Sequence, residues 1–263
     1  MGALFDLLSV FSVNFIIFSC AWIFCTTWAR VSWVDVFWAA SIGMWSLEHL
    51  RFWESSFSFT KPITLLSLLY FMWSLRLSSH LCQRLLSHRD KEDLRYERIK
   101  NKTQGNWRKT RFFIFMMNAL LVTLLVLPQR LLMWSDSSQI HPTLILGILI
   151  SLVSILGEGL ADKQLKNFLS KISNAGKTCQ QGLWRYSRHP NYFFEWSFWV
   201  GISVILIHYP RGYLALLCPL TIYIFLTQFT GIKISEDGSA LRRSDFQSYK
   251  EKTSAFFLLP PKK

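Results

Sequence analysis

Between Arg185 and Glu195 the sequence RYSRHPNYFFE sets two guanidiniums, an imidazole, a carboxamide and a carboxylate at the mouth of an apolar run. If the chain turns helical at Pro190, Asn191 and Glu195 lie four apart on one face, with Tyr192 beside them. Pro190 suits the first helical position, which leaves His189 as the cap. Arg185 and Arg188 then stand just ahead of a helix N-terminus, where unpaired backbone N–H groups already favour an anion. That combination predicts a site for a phosphate-bearing ligand. The bland alternative is a basic flank beside an aromatic belt. Glu195 weighs against it, because a carboxylate one turn into an apolar helix is costly without a partner.

Three further groups carry chemistry. In GEGLADKQLKNF, Glu158, Asp162 and Lys166 recur every four residues, as a surface ion ladder or one wall of a site. Its GEG does not open a dinucleotide fingerprint, since Asp162 occupies the third glycine position and no strand precedes it. In RLSSHLCQR, Arg76, His80 and Arg84 share the same spacing inside an apolar segment and need acidic or anionic partners. Asp35 is the nearest candidate and Glu195 another, and the pairing is structural or functional. KEDLRYERIK, residues 91–100, alternates in sign and reads as a solvated loop, with Tyr96 its one aromatic. No phosphate-binding lysine loop, Gly-x-Ser-x-Gly or His-Glu-x-x-His is present. The five cysteines include no Cys-x-x-Cys pair, so neither a zinc site nor a disulfide framework is indicated.

These groups must be held by helices in a bilayer. Of 263 residues 51% are apolar, including 12 Trp and 22 Phe, and long apolar runs recur throughout. The expected fold is all-α and polytopic. About seven spans fall near 4–28, 32–48, 62–84, 112–129, 142–161, 192–209 and 212–231. Pro128, Pro142 and Pro210 are expected to end segments at the interface. Ten Lys and Arg fall in 84–111, six in 163–188 and seven in 233–263, 23 of the 29 in the chain. Arg51, Lys61, Arg130 and Arg211 are left for the opposite loops. The positive-inside rule then predicts a cytoplasmic C-terminus and an outer N-terminus. The net charge of +13 follows from topology and contact with membrane lipids, and nucleic acid is not an expected partner. One membrane domain is expected, with 1–140 and 141–263 as its N- and C-terminal parts. The tail reads as a short interfacial helix followed by an apolar anchor.

GLWRYSRHPNYFFE, KEDLRY, LADKQLKNF and GIKISE…SYKEKTSAFFLLP together resemble the steroid 5-alpha-reductase-like membrane family, in its bacterial branch of unknown function. Sterol C14- and C7-reductases share a similar C-terminal block, as, more loosely, do isoprenylcysteine carboxyl methyltransferases. The resemblance implies a reductase of the bacterial inner membrane, using NADPH on an activated C=C bond of a lipid-like substrate such as a steroid or related enone. It implies a cytoplasmic cofactor site built by the C-terminal helices. Asn191, Tyr192 and Glu195 match the family's cofactor-lining spacing. Asp162, with Glu158 and Lys166 on its face, matches the stretch leaving the fifth span, and Glu236 and Tyr249 match the tail block. Arg185, Arg188 and Lys166 would meet phosphates, with Tyr186 and His189 in the same block. Asn191 and Glu195 would orient the nicotinamide. Hydride transfer to an enone builds negative charge on the carbonyl oxygen, so a donor is needed there. Tyr96, His80 and Asp35 are the candidates. Two departures stand out: the family's Gln-Glu pair is missing from the early helices, where Asp35 with Trp38 is the comparable feature, and Phe194 replaces a common Gly. An S-adenosylmethionine-dependent methyltransferase and a non-catalytic lipid-binding protein are the alternatives.

Overall fold

The computed structural model describes residues 2–50, 58–87, 92–103, 105–135, 139–229, 231–240 and 242–262. Ten α-helices account for most of them: α1 Gly2–Thr27, α2 Trp33–Leu47, α3 Pro62–Ser87, α4 Leu94–Lys102, α5 Trp107–Ser135, α6 Pro142–Leu169, α7 Pro190–Leu206, α8 Leu217–Ile224, α9 Ile232–Ala240 and α10 Phe246–Lys252. No strand occurs among the described residues. Each of the seven apolar stretches read from the sequence is mostly helical over its described residues. Among the described residues, four stretches are long and apolar enough to cross a bilayer, namely α1, α5, α6 and Gly212–Ala240. This makes the chain a helical membrane protein. At 15 residues α2 is short for a span, and α7, at 17, lies at the lower limit of the usual span length.

The chain falls into two compact units. One comprises Met1–Leu144 with Leu206–Ala215, the other Ile145–Ile205 with Leu216–Lys263. In the first, α2 and α3 meet where Gly43 leaves room for Ser74, whose hydroxyl donates to the Ala39 carbonyl at 2.6 Å. A Cβ at position 43 would lie 2.2 Å from that hydroxyl, so the close crossing depends on glycine. Trp73, Tyr70, Phe18 and Phe115 fill the core, and the Tyr70 hydroxyl donates to the Leu125 carbonyl at 2.9 Å. Asn14 joins three helices, donating to Thr123 and accepting from the Trp45 indole, both at 3.0 Å.

Pro128 does not end α5, which continues to Ser135. Proline removes one ladder donor, and in a spanning helix that loss is tolerated when the surroundings pack around it. Pro128 is buried accordingly. The extension carries Arg130 out of the loop expected from the sequence and onto the buried face of α5, where its side chain is 2% exposed.

In the second unit α6 and α7 cross at Gly147, Ser151 and Gly201. A Cβ on Gly147 would come within 2.5 Å of the Gly201 carbonyl oxygen, and one on Gly201 within 2.4 Å of the Ser151 hydroxyl. Small residues that let backbones approach are the usual cement of membrane helix pairs. The expected last span is broken into a 3₁₀ turn at Gly212–Leu216, α8, a π-helical turn at Phe225–Phe229 and α9. The tail forms the short helix α10 and then folds back onto its unit.

Candidate functional site

The start of α7 is built as its sequence dictates. Pro190 occupies the first helical position, the His189 carbonyl accepts from Phe193 N–H at 3.1 Å, and the Ser187 hydroxyl accepts from His189 N–H at 3.1 Å. Asn191 then donates its amide to Asp162 at 3.3 Å. That bond brings the LADKQ face of α6 against the RHPNY block. Tyr192 stacks on His189 with ring centroids 5.1 Å apart and planes 7° apart. One turn deeper, Glu195 is 6% exposed and accepts from the Trp199 indole at 2.9 Å. Glu158 is likewise buried on α6, one turn before Asp162. Burial pushes the His189 imidazole below the usual histidine range. Glu236 opposes that shift and the Arg188 charge adds to it. His189 is therefore a neutral, stacked ring at neutral pH.

Arg188 departs from its expected role. It is 9% exposed, with Nε donating to Glu236 at 2.7 Å and Nη1 to the carbonyls of Lys250 and Thr253 at 2.8 and 2.5 Å. A guanidinium committed to three protein acceptors is a strut, and the phosphate role read from the sequence does not suit it. Glu236 also faces Lys250 at 3.4 Å and His189 at 3.5 Å. Tyr249 is similarly committed. Its hydroxyl donates to the carbonyls of Trp184 and Ser187, and burial pushes its pKa up. Glu236 and Tyr249, expected against cofactor, brace the loop that precedes α7.

The tail completes that clamp. Arg188 N–H donates to the Ser254 carbonyl at 2.8 Å, the Ser187 hydroxyl to Phe256 at 2.8 Å, and Leu259 N–H to Tyr186 at 3.0 Å. Phe256 is 4% exposed and packs with Phe193, Trp196, Tyr223 and Phe257. The apolar end therefore packs on its own unit. Asp245 takes the Thr178 amide and hydroxyl, and these bonds outweigh burial to hold its carboxyl below the usual range. Neither residue stood out in the sequence. Asp245 stands at the N-cap position of α10 without capping it, and its partner Thr178 lies 67 residues away, so nothing local marks the pair. Arg185, Tyr186 and Lys166 remain exposed, which leaves Arg185 and Lys166 as the accessible cations among those expected to meet phosphate.

Phe194 is seated in a notch. A Cβ on Gly157 would lie 2.4 Å from its ring, so the glycine on α6 and the aromatic on α7 form a matched pair. Gly157→Ala is expected to destabilise by about 1–3 kcal/mol through overpacking. Phe194→Leu in the same chain should recover much of that loss, and heat unfolding in detergent of the two single variants and the double variant measures the coupling.

In the first unit Asp35 and Tyr96, two of the sequence's candidate donors, are hydrogen-bonded to each other. The Tyr96 hydroxyl donates to Asp35 at 2.7 Å, and Arg95 donates to the other carboxylate oxygen at 2.5 Å. Asp93 caps α4 and holds Arg95 at 3.0 Å, while Arg84 reaches Asp93 at 3.2 Å. Glu92 accepts from the amides of Val31 and Ser32 at 2.8 and 3.2 Å. The stretch expected to be a solvated loop is therefore largely helical, as α4, and pinned to α2. Burial, and then the Asp35 charge, push the Tyr96 pKa well above that of free tyrosine, so the phenol stays a proton donor. His80 lies half-buried on α3, and the bonds described for Asp35 come from Arg95 and Tyr96.

No curated protein and no solved structure matched the chain. A family model did, described as a protein of unknown function (DUF1295) and covering residues 21–253, which takes in both clusters. The chain thus belongs to the DUF1295 family.

Proposed function

We propose that this protein is a steroid 5-alpha-reductase-like membrane enzyme that uses NADPH to reduce an activated C=C bond in a lipid-like substrate drawn from the bilayer. The observation that carries the reading is the Asn191–Asp162 bond, flanked by buried Glu158 and Glu195. Buried carboxylates and a carboxamide converging beside a stacked His–Tyr pair suit an uncharged, amide-bearing ring. Exposed Arg185 and Lys166 suit the phosphates. NADPH would supply the hydride.

The chain's own residues do the rest. Asn191 and Glu195 orient the nicotinamide amide, and His189 and Tyr192 offer a flat apolar wall. In the first unit Tyr96, held by Asp35, is a phenol suited to donating a hydrogen bond and a proton. A positioned acid of this kind contributes on the order of 10²–10⁴-fold. In this reading seven helices span the inner membrane with the basic segments cytoplasmic.

The block around RHPNY also suits a methyl-donor enzyme, so the test sets the two cofactors side by side. Thermal stability of the detergent-purified protein is measured with NADPH, NADH and S-adenosylmethionine. A ligand at about 100 times its dissociation constant should stabilise by ~2.7 kcal/mol. We expect NADPH to do so. Stabilisation by S-adenosylmethionine alone would replace the reductase with a methyltransferase, and a response to none would leave a lipid-binding protein.

A further inference from the structure

Two histidines outside both clusters face each other in the first unit. His141 precedes α6 and His208 follows α7, and their ring centroids lie 5.4 Å apart with planes at 36°. Bonds made by their neighbours fix the pair. The Tyr209 hydroxyl donates to the Gln139 carbonyl at 2.6 Å, and the His141 ring meets the buried Tyr209 ring edge-on at 5.3 Å. Pro142 opens α6, and Leu144 N–H donates to the His141 carbonyl at 2.9 Å. After α7 the chain turns tightly, with Tyr209 N–H donating to the Leu206 carbonyl at 2.9 Å and Gly212 N–H to the Tyr209 carbonyl at 2.8 Å.

Neither imidazole makes a side-chain hydrogen bond or ion pair among the described residues. His208 is exposed and His141 half-buried, so the pair is open to water. A neutral imidazole keeps one nitrogen with a free lone pair, and histidine is the commonest metal ligand in proteins. Two such rings, held by separate connections, offer two ligands that need little further ordering. Rotation about χ2, which is soft for imidazole, sets which nitrogen faces the gap.

The spacing selects the ion. Zinc–nitrogen bonds of about 2.0–2.1 Å, plus about 1.1 Å from nitrogen to ring centre, set each centroid about 3.2 Å from the metal. Two such rings at the tetrahedral angle have centroids about 5.2 Å apart, and at the right angle of a square-planar copper or nickel site about 4.5 Å. The observed 5.4 Å fits the tetrahedral case. We infer that His141 and His208 bind a tetrahedral divalent ion, zinc, through one nitrogen each. Among the described residues no group of three or more His, Cys, Asp or Glu side chains could hold a metal, so water fills the remaining positions. Bound zinc ties the α5–α6 connection to the turn that follows α7. The site is independent of the reductase reading.

Calorimetric titration of zinc chloride into the untagged, detergent-purified chain tests this. The unaltered chain should bind zinc, and His141→Gln and His208→Gln should each weaken binding by about tenfold or more, since even an outer partner of a metal ligand is worth ~10–100-fold. Heat unfolding without metal checks that both variants are folded. With zinc the unfolding temperature should rise in the unaltered chain and stay put in either variant. Cobalt(II) in place of zinc should show the intense visible absorption of a four-coordinate ion. Absence of zinc binding, or binding unchanged in either variant, would overturn the shared site. A six-coordinate cobalt spectrum would overturn its tetrahedral geometry.

Discussion

Arg188→Ala should destabilise the protein by about 3–5 kcal/mol, the usual result of removing one partner from a buried ion pair. Glu236, 6% exposed, would keep only Lys250 at 3.4 Å, itself half-exposed, and a neutral His189. The carbonyls of Lys250 and Thr253 would lose their donor as well. The loop that sets Asn191 against Asp162 would loosen, so ligand binding should fall as a consequence of stability. A phosphate ligand would behave otherwise, with affinity lost and stability kept. Arg185→Ala is the contrast, because its exposed side chain should leave stability within about 0.5 kcal/mol and weaken NADPH binding. Heat unfolding and cofactor titration of the two variants separate the roles. Arg188→Met with Glu236→Gln should cost less than the single changes combined, since the pair is removed together.

The same residue shows how far the sequence reaches. The start of α7 is legible because Pro190 has a fixed φ and no N–H, both of which belong at a first helical position. The four-residue spacing of Asn191 and Glu195 is legible for the same local reason. What occupies Arg188 is not, because Glu236 lies 48 residues away and nothing local marks the two as partners. KEDLRY misleads in a related way. Alternating charge reads as solvation unless the counter-charges are known, and Asp35 and the Val31 and Ser32 amides lie 60 or 61 residues upstream. Seven helical stretches are readable from apolar runs alone. Their ends are less so: the rule that proline stops a helix assumes water ready to compete for the backbone, and Pro128 sits where packing takes its place.

Glu48→Ala should prove costlier than Arg130→Met, although both changes break the same contact. Arg130 is 2% exposed, donates to Glu48 at 2.6 Å, lies 3.8 Å from Asp6 and stacks 4.8 Å from the Trp45 ring centre. Glu48 and Asp6 are 39% and 27% exposed. Without Arg130 both carboxylates can turn to water, and methionine fills much of the vacated volume. Removing one ion of a pair is costly when it leaves the other buried and uncompensated, and here the acids left behind are part-exposed. Without Glu48 the guanidinium stays in an apolar helix bundle with one distant acid, and an unpaired buried charge costs about 3–5 kcal/mol. Glu48→Ala is therefore expected near 3 kcal/mol, the lower end, because Asp6 offers partial cover. Adding Arg130→Met to Glu48→Ala should restore part of that stability. Such a gain from a second mutation would show that burial of the cation, rather than strength of the bond, sets the cost. Heat unfolding of the three variants in one detergent measures it, and if the double variant is no more stable than Glu48→Ala, Asp6 already satisfies the arginine.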